Sequence, residues 1–411
     1  MLPFFEKWAV DGRLALGMLL LSLFGVAMIY SAGAVNTPDP VATDAWQRQI
    51  MWLAIALLTF TVVTRIPLGW WEWVAIPAYV MTLVLLAATL VIGTGAGTAE
   101  GTKSWIDFGV FRFQPSELAK LATVLALARL LSTRDEPPTG LRDLLAPGLL
   151  AGVPLGLVML QPDLGSGMVF VGVLYGMLYW AGTPPLMLLL VASPIAGLIL
   201  SFDTGIWSVY IVVLFLVLYL CRYRIFLYES AAVILVNVAA GAVAAPLWKS
   251  FRPYQQNRLL VFLDPSVDPK GAGYNLLQSK VAIGSGGVSG KGYLLGTQKR
   301  FEFLPEQHTD FIFSVIGEEL GFVGVGVALL LLGYVLYRLV RMAEKANDPF
   351  AGLVLFGIFG LWFVHIFVNT GMTVGIVPIV GIPLPFMSYG GTFLLVSWLA
   401  AGIAARLAHE R

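Results

Sequence analysis

The chain has 411 residues, of which 58% are hydrophobic and only 12% are charged. This composition lies far from that of soluble globular domains, and apolar runs of about 20 residues explain the excess. The sequence therefore predicts an all-α polytopic membrane protein and gives no sign of nucleic-acid binding. The single cysteine, Cys221, excludes intramolecular disulfides and cysteine-based metal sites.

Twelve apolar blocks are each long enough to predict a membrane-spanning helix. The first follows a short polar N-terminal segment, so we expect it to act as an uncleaved signal anchor. In chain order the predicted spans are Leu14–Ala32, Gln49–Thr64, Trp70–Ile92, Ser116–Leu131, Leu144–Leu160, Ser166–Ala181, Pro185–Leu200, Gly205–Leu220, Tyr228–Leu247, Phe311–Leu336, Phe350–Thr370 and Pro385–Ala405.

One connection, residues 249–309, is far longer than the few residues that usually join packed helices. Its Phe, Leu, Tyr and Gly content predicts a folded segment, since a disordered one would carry fewer apolar residues. Lys and Arg concentrate in alternate short loops, which predicts that both termini are cytoplasmic. Counting helices then predicts an extracytoplasmic position for this long loop.

Two stretches of the loop resemble known ion or phosphate sites and then depart from them. Residues Asp264–Gly271 start like a calcium loop but lack its glycine and its bidentate glutamate. Residues Gly284–Lys291 resemble a phosphate loop, but glycine follows the lysine where Ser or Thr is required. We interpret the second as a Gly-rich turn that ends a short helix over Tyr274–Ile283.

Asp264 and Asp268 each precede proline, so the simplest interpretation makes both of them turn residues. A carboxylate in this loop could instead act as a general base on a sugar hydroxyl. Residue type alone does not decide between these alternatives. Fixed cations could stabilise a leaving diphosphate. The basic candidates in the loop are Arg252, Arg258, Lys270, Lys280 and Lys291.

Ionisable side chains within predicted spans are costly and therefore informative. Glu117 and Lys120 are three residues apart on one helix and are predicted to pair, either structurally or facing substrate. His365 and Asn369 are predicted to make interhelical hydrogen bonds. Three other acidic residues have no partner that the sequence reveals: Asp163, Glu318 and Glu319.

Five long motifs, in the same order along the chain, resemble those of the SEDS family, the shape, elongation, division and sporulation proteins. The GTQ before KRFEFLPE and the IGSGG run resemble its RodA-like elongation branch more than its FtsW-like division branch. The motifs are GTKSWIDFGVFRFQPSELAK at Gly101–Lys120, QPDLGSG at Gln161–Gly167, FLDPSVDPKGAGYNLLQSKVAIGSGG at Phe262–Gly287, GTQKRFEFLPEQHTDFIFSVIGEELG at Gly296–Gly321 and GIPLPFMSYGGT at Gly381–Thr392.

The resemblance implies a peptidoglycan glycosyltransferase of the bacterial cytoplasmic membrane that polymerises lipid II at its outer face during cell elongation. It implies a class B penicillin-binding protein as partner, and it matches the family's essential loop aspartate to Asp268, with Asp264 the poorer candidate. A contribution from Mg²⁺ or Mn²⁺ is left open. The residues expected to contact substrate are Lys103, Glu117, Lys120, Arg258, Lys270, Lys280, Lys291, Glu306, His308, Asp310 and Ser388.

The resemblance implies a single membrane domain over residues 1–411, built from about ten to twelve helices with one large structured loop. Family members usually have about ten spans, so this chain is expected to carry an extra helix pair within Thr183–Leu247. Two other functions stay open at this stage. One is a lipid II flippase, since charged residues in spans also suit a transport path. The other is a non-catalytic scaffold for a penicillin-binding protein.

Overall fold

The computed structural model describes residues 12–36, 43–95, 103–109, 111–220, 227–251, 253–268, 271–301 and 303–409. Over these ranges the chain forms fifteen α-helices and one two-stranded antiparallel hairpin. In chain order the elements are α1 (Gly12–Gly33), α2 (Ala45–Val63), α3 (Leu68–Ile92), β1 (Ile106–Asp107), β2 (Arg112–Phe113), α4 (Pro115–Ser132), α5 (Leu141–Leu160), α6 (Leu164–Trp180), α7 (Pro185–Leu200), α8 (Thr204–Leu220), α9 (Leu227–Ser250), α10 (Pro253–Leu263), α11 (Ala272–Gly286), α12 (Thr297–Arg300), α13 (Ile312–Glu344), α14 (Pro349–Val374) and α15 (Gly391–Leu407).

Every one of the twelve predicted spans coincides with a helix. Among the described residues, seven helices are long and apolar enough to cross a membrane, namely α1, α2, α3, α5, α9, α13 and α14. Four shorter apolar helices accompany them, namely α6, α7, α8 and α15. The helix at the remaining predicted span, α4, carries the predicted charged residues Glu117 and Lys120 and begins with proline at its first position. The chain is therefore a multi-pass α-helical membrane protein, as predicted.

The first of two compact units comprises residues 1–133, 150–177 and 258–411. Its central element is α14, in which 72% of the most apolar 18-residue stretch is buried, against 28% for α13. A helix that is apolar on all sides is expected at such a position. Small residues permit close packing there, since a Cβ at Gly357 of α14 would lie 2.5 Å from Cγ1 of Val124 on α4.

The second unit comprises residues 134–149 and 178–257 and contains α7, α8 and α9. Asn237 Nδ2 donates to Ser193 Oγ at 2.8 Å, and Tyr210 Oη donates to Asn237 Oδ1 at 2.8 Å. These bonds join all three helices through polar groups buried among apolar side chains. The extra helix pair predicted within Thr183–Leu247 falls in this unit and stays a prediction.

The long loop is folded, as its composition predicted. It contains α10, a single 3-10 turn over Pro265–Val267, α11 and the short α12. The predicted short helix is present as α11, and the Gly-rich turn follows it at Gly287, whose φ is 55°. Side chains from α10, α11, the loop end, α14 and the segment after α14 form one apolar cluster: Val261, Leu276, Leu304, Phe311, Met372 and Ile379.

The Gly-rich turn makes hydrogen bonds to the next helix, α13, at a point where that helix is interrupted. Within α13, Gly321 has φ 63° and ψ −158°, a conformation that interrupts the helical hydrogen bonds. The turn supplies replacements, because Phe322 N–H donates to the carbonyl of Gly287 at 2.9 Å and Gly292 N–H donates to that of Glu319 at 2.9 Å. The stretch that resembled a phosphate loop therefore pairs with backbone groups of α13.

The last predicted span started too early. The prediction placed its start at Pro385, whereas α15 begins at Gly391. Residues before it form a turn in which the Ser388 hydroxyl donates to the carbonyl of Thr309 at 2.6 Å and accepts from Leu384 N–H at 2.8 Å. These contacts hold the segment against the end of the long loop, so it does not continue the helix.

Candidate active site

The aspartate singled out by the family resemblance, Asp268, lies just before α11. Its side chain is half-buried, and its Oδ2 accepts a hydrogen bond from the Ala272 N–H at 3.2 Å. A Cβ at Gly271 would lie only 2.4 Å from the same oxygen. Glycine at that position therefore leaves the carboxylate room to dock on the N-terminal end of the helix.

The close approach of Gly273 to the Asp268 backbone yields a stability prediction. A Cβ at Gly273 would lie 2.2 Å from the carbonyl oxygen of Pro265 and 2.5 Å from that of Asp268, so Gly273→Ala must displace backbone. We expect a loss of about 1–3 kcal/mol, measured as a lower thermal unfolding temperature in detergent. Gly284 is the matched control on α11, because a Cβ there meets nothing within 4 Å. Gly284→Ala should instead stabilise by about 0.5–1 kcal/mol, and equal effects of the two variants would contradict the prediction.

The neighbouring aspartate, Asp264, has a different environment. It is exposed, and its Oδ1 accepts from Ser266 N–H at 2.9 Å and from Ser266 Oγ at 2.7 Å. These bonds lower the pKa of Asp264 below its usual value. Asp264 thus caps the 3-10 turn, which is the turn role that the following proline predicted.

A buried chain of hydrogen bonds links α4 to α14. Lys120 Nζ donates to Glu117 Oε1 at 2.7 Å and to His365 Nε2 at 3.1 Å. His365 Nδ1 donates to the carbonyl of Pro383 at 3.0 Å, which leaves Nε2 as the acceptor. All three ionisable side chains are at most 3% exposed. The predicted Glu117–Lys120 pair and the interhelical bond of His365 are both confirmed.

The two motifs that contain QP meet at the N-terminal ends of α4 and α6. Gln114 Nε2 donates to Asp163 Oδ2 at 3.4 Å, and the Ser116 and Ser166 hydroxyls lie 3.4 Å apart. Asp163 also caps α6 by accepting from Ser166 N–H at 3.0 Å. Asp163, which had no visible partner in the sequence, therefore connects the two motifs.

Asp310, at the end of the long loop, contacts a third motif. A Cβ at Gly381 would lie 2.9 Å from Asp310 Oδ2, so the GIPLPFMSYGGT motif packs directly on this carboxylate. Asn369 Nδ2 donates to the carbonyls of Asp310 at 2.9 Å and Ile382 at 2.8 Å. The amide of Asn369 thus bonds to loop backbone and fastens α14 to both motifs.

Charges around Asp310 change its proton affinity. The pKa of Asp310 is raised to about 7, mainly by burial and also by the nearby carboxylates of Glu306 and Asp163, while Arg258 on α10 opposes the shift. The predicted residues Arg258 and Glu306 therefore both lie close enough to Asp310 to interact with it electrostatically. Asp163, which was not among the predicted substrate contacts, does so as well.

The raised pKa of Asp310 predicts a pH dependence of stability. Native Asp310 keeps its proton up to about pH 7, while the unfolded chain releases it at about pH 4. The native state binds more protons in that window, so stability should fall as pH rises from about 4 to 7, by at most ~1.4 kcal/mol per pH unit. Asp310→Asn should flatten this slope in thermal unfolding, whereas Asn at the exposed Asp135 should leave it unchanged. An unchanged slope in Asp310→Asn would refute the assignment.

Glu306, His308 and Asp310 lie in a turn at the end of the long loop. The Glu306 carbonyl accepts from Thr309 N–H at 3.2 Å and Asp310 N–H at 3.1 Å. The His308 carbonyl accepts from Tyr389 N–H at 2.9 Å, and the two rings lie 5.5 Å apart. These three residues alternate along the sequence in a way that could bind a cation, but turn bonding is the simpler interpretation of the pattern, and the hydrogen bonds confirm it.

The predicted basic contacts differ in their surroundings. Lys103 is exposed and its Nζ lies 3.5 Å from the carbonyl of Leu90. Lys280 is also exposed, with its Nζ beside Gly375 at the C-terminal end of α14, where a cation is favoured. Lys291 Nζ pairs with Glu318 at 2.7 Å, which favours a structural role over a diphosphate contact. Lys270 lies outside the described residues.

A divalent cation is poorly accommodated by the part of the chain that the structure describes. There, no three His, Cys, Asp or Glu side chains converge so that they could hold a metal ion. Arg258 also supplies positive charge that acts on the Asp310 carboxylate. Among the described residues, therefore, no donor set fits a resident metal.

Sequence reasoning missed the partners of the two glutamates in α13. Glu318 pairs with Lys291, and Glu319 pairs with Lys299, which was not a predicted site residue. Two carboxylates inside a span signal that partners must exist. Their identity was hidden because the partners, Lys291 and Lys299, lie 27 and 20 residues away along the chain, in the folded loop.

Comparison with known proteins agrees with this architecture. A family model described as FTSW_RODA_SPOVE, cell cycle protein, matches residues 13–199 and 183–411. The peptidoglycan glycosyltransferase MrdB of Escherichia coli K12 is 35% identical over 413 residues, covering 99% of this chain and 96% of MrdB.

Two solved structures resemble the fold along its whole length. One, from work on the structural coordination of polymerization and crosslinking by a peptidoglycan synthase complex, has a TM-score of 0.73 and 30% identity and covers 98% of each chain. The rod shape determining protein RodA of Thermus thermophilus has a TM-score of 0.64 and 28% identity, again covering 98% of each chain. The chain therefore belongs to the FtsW, RodA and SpoVE family, which is the SEDS family that its motifs indicated.

Proposed function

We propose that this protein is a peptidoglycan glycosyltransferase that polymerises lipid II into glycan strands during cell elongation and shape maintenance. The observation that carries the proposal is the half-buried Asp268, docked on the N-terminal end of α11 with only glycine beside its carboxylate. Full-length similarity to MrdB, whose name states this activity, supports it.

Asp268 acts as the general base in this reaction. Its carboxylate accepts the proton of the acceptor sugar 4-hydroxyl as that oxygen attacks the anomeric carbon of the donor strand. The new glycosidic bond forms with inversion while the bond to the polyprenyl diphosphate breaks, and the electron pair leaves with the diphosphate. Asp264 is a poorer candidate for the base, because its Oδ1 already accepts hydrogen bonds from both the N–H and the hydroxyl of Ser266.

Cationic side chains stabilise the negative charge that develops on the leaving diphosphate. Lys280 and Lys103 are the better placed described candidates, since both are exposed and neither is paired with a carboxylate in a hydrogen bond or ion pair that the structure records. Arg258 already interacts electrostatically with Asp310, which lessens its availability to the diphosphate. Mg²⁺ or Mn²⁺ would be recruited with the substrate if either takes part, because the described residues form no metal site.

The long loop faces the extracytoplasmic side and both termini face the cytoplasm. The distribution of Lys and Arg in the short loops supports this orientation. Lipid II is a membrane-anchored substrate, so an active site on a loop folded against apolar helices can act on the headgroup while the tail stays in the bilayer. A class B penicillin-binding protein is the proposed partner, supported by the similarity to a chain of a peptidoglycan synthase complex.

Lipid II transport is the second candidate, because charged residues within spans suit a translocation path. The relevant charges, Glu117 and Lys120, are bonded to one another and at most 3% exposed. Such a closed pair offers a headgroup no contact, which favours the enzyme.

The test is polymerisation of fluorescent lipid II by the purified full-length protein, alone and with a class B penicillin-binding protein. Glycan ladders on a gel that disappear after lysozyme digestion are expected. Movement of labelled lipid II across vesicles without any polymer would support transport and overturn the proposal.

A further inference from the structure

A buried group of charged and polar residues joins the long loop to two membrane helices. We call it the clamp and define it as Ser31, Lys291, Lys299, Glu318 and Glu319. Lys299 Nζ forms an ion pair with Glu319 Oε1, and both side chains are fully buried. Neither residue contacts Asp268 in any bond that the structure records, so the clamp stands apart from the proposed catalytic group.

The clamp fixes the start of α12. Glu318 Oε1 accepts from the N–H groups of Thr297 at 2.8 Å and Gln298 at 3.0 Å, and from Lys291 Nζ at 2.7 Å. A carboxylate at a helix N-terminus is favoured by the helix dipole and by its unpaired N–H groups. Glu318 therefore ties the Gly-rich turn and α12 to the first turns of α13.

The same clamp holds the C-terminal end of α1. Lys299 Nζ donates to the Ser31 carbonyl at 2.7 Å, and the Ser31 hydroxyl donates to Glu319 Oε2 at 2.5 Å. Gln307 Nε2 caps this end by donating to the Ala32 carbonyl at 2.9 Å, and Tyr293 Oη donates to the Ala27 carbonyl at 2.8 Å one turn earlier. Carbonyls that a helix end leaves unpaired are thus satisfied by the loop.

The connection from the clamp to Asp268 runs through α11. A Cβ at Gly286, in its last turn, would lie 1.9 Å from the carbonyl oxygen of Gly317, which immediately precedes Glu318. Halfway along, Ser279 Oγ lies 2.7 Å from Ser314 Oγ on α13 and donates to the Thr373 carbonyl at 2.7 Å. The first residue of α11, Ala272, holds the Asp268 carboxylate. The helix is packed on α13 at the clamp and presents Asp268 from its other end.

A buried ion pair is a poor way to gain stability, because removing two charges from water costs about as much as their attraction returns. Replacing a buried ion pair by apolar residues of similar volume is often neutral or stabilising. The charged side chains instead fix the relative positions of the loop and the helices, because each hydrogen bond requires a particular partner and direction. From these contacts we infer that Lys299 and Glu319 are positioning residues, which set Asp268 for reaction through α11 and the Gly-rich turn. The effect on reaction rate rests on the proposed function, whereas the effect on the order of the loop does not.

The test combines hydrogen exchange with polymerisation kinetics on the full-length protein. Lys299→Met should speed amide exchange in residues 288–301 by about tenfold or more, because it leaves Glu319 buried without its cation. It should lower kcat for lipid II by about tenfold or more while KM changes little, since a small misplacement of a catalytic group affects the chemical step. The matched control is Arg341→Met, which removes the half-exposed Arg341–Glu344 pair on the same helix and should change neither measurement.

A double variant separates positioning from stability. Lys299→Met with Glu319→Met removes both charges, so the thermal unfolding temperature should recover towards the parent value while kcat stays low. Recovery of kcat together with stability would overturn the inference, and so would unchanged exchange in Lys299→Met. Failure of the proposed function looks different: the parent protein would then make no polymer, and the exchange measurements alone would decide whether the clamp orders the loop.

Discussion

Asp268→Ala is expected to abolish glycan polymer from purified lipid II, with a loss of at least about 100-fold. General-base catalysis contributes about 10²–10⁴-fold, and alanine leaves no group that could accept the proton. The fold should survive, because the side chain is half-buried and makes one recorded hydrogen bond, to Ala272 N–H. Elution from size exclusion and the unfolding temperature should match those of the parent.

Asp264→Ala is the matched control for this experiment. It removes a carboxylate four residues away in the same loop, which is exposed and bonded to Ser266. Polymerisation should persist within a few-fold of the parent. If Asp264→Ala were inactive and Asp268→Ala active, the assignment of the base would be reversed. If both variants polymerised lipid II in the complex with the partner, neither aspartate would be the base.

Breaking the pair between Glu117 and Lys120 is expected to have the largest effect on folding. Lys120→Met leaves the carboxylate of Glu117 uncompensated at 3% exposure, which costs about 3–5 kcal/mol. It also removes the donor to His365 Nε2, and an unsatisfied buried acceptor costs about 1–3 kcal/mol more. We expect little folded protein after purification and a markedly lower unfolding temperature for what remains.

The exposed pair Arg341–Glu344 is the control for a change of charge alone. Arg341→Met should alter stability by about 0–1 kcal/mol, because exposed ion pairs contribute little. The experiment also settles whether the buried pair is structural or faces substrate, which the spacing of the two residues left open. A Lys120→Met protein with parental stability but no polymerisation would show that the pair acts on substrate.

The sequence alone determined the features that depend on nearby residues. The twelve helices follow from hydropathy over about 20 residues, and the bilayer permits few alternatives to a helix. The pairing of Glu117 with Lys120 follows from their spacing of three on one helix. The short helix and the Gly-rich turn of the loop could also be predicted, because their signals lie in adjacent residues. Local signals placed the start of α15 six residues early, because contacts of Ser388 with the loop end override the apolar pattern.

The tertiary structure alone decided which distant groups meet. Ser31 and Glu319 are 288 residues apart, and Lys120 and His365 are 245 apart, so no local pattern could pair them. The spacing of Asp264 and Asp268 did not distinguish them either. Their difference appears only when Ser266 folds back on Asp264 while α11 docks on Asp268. Hydrophobic patterning acts within one helix, whereas the partner of a buried charge is set by how the helices and the loop pack together.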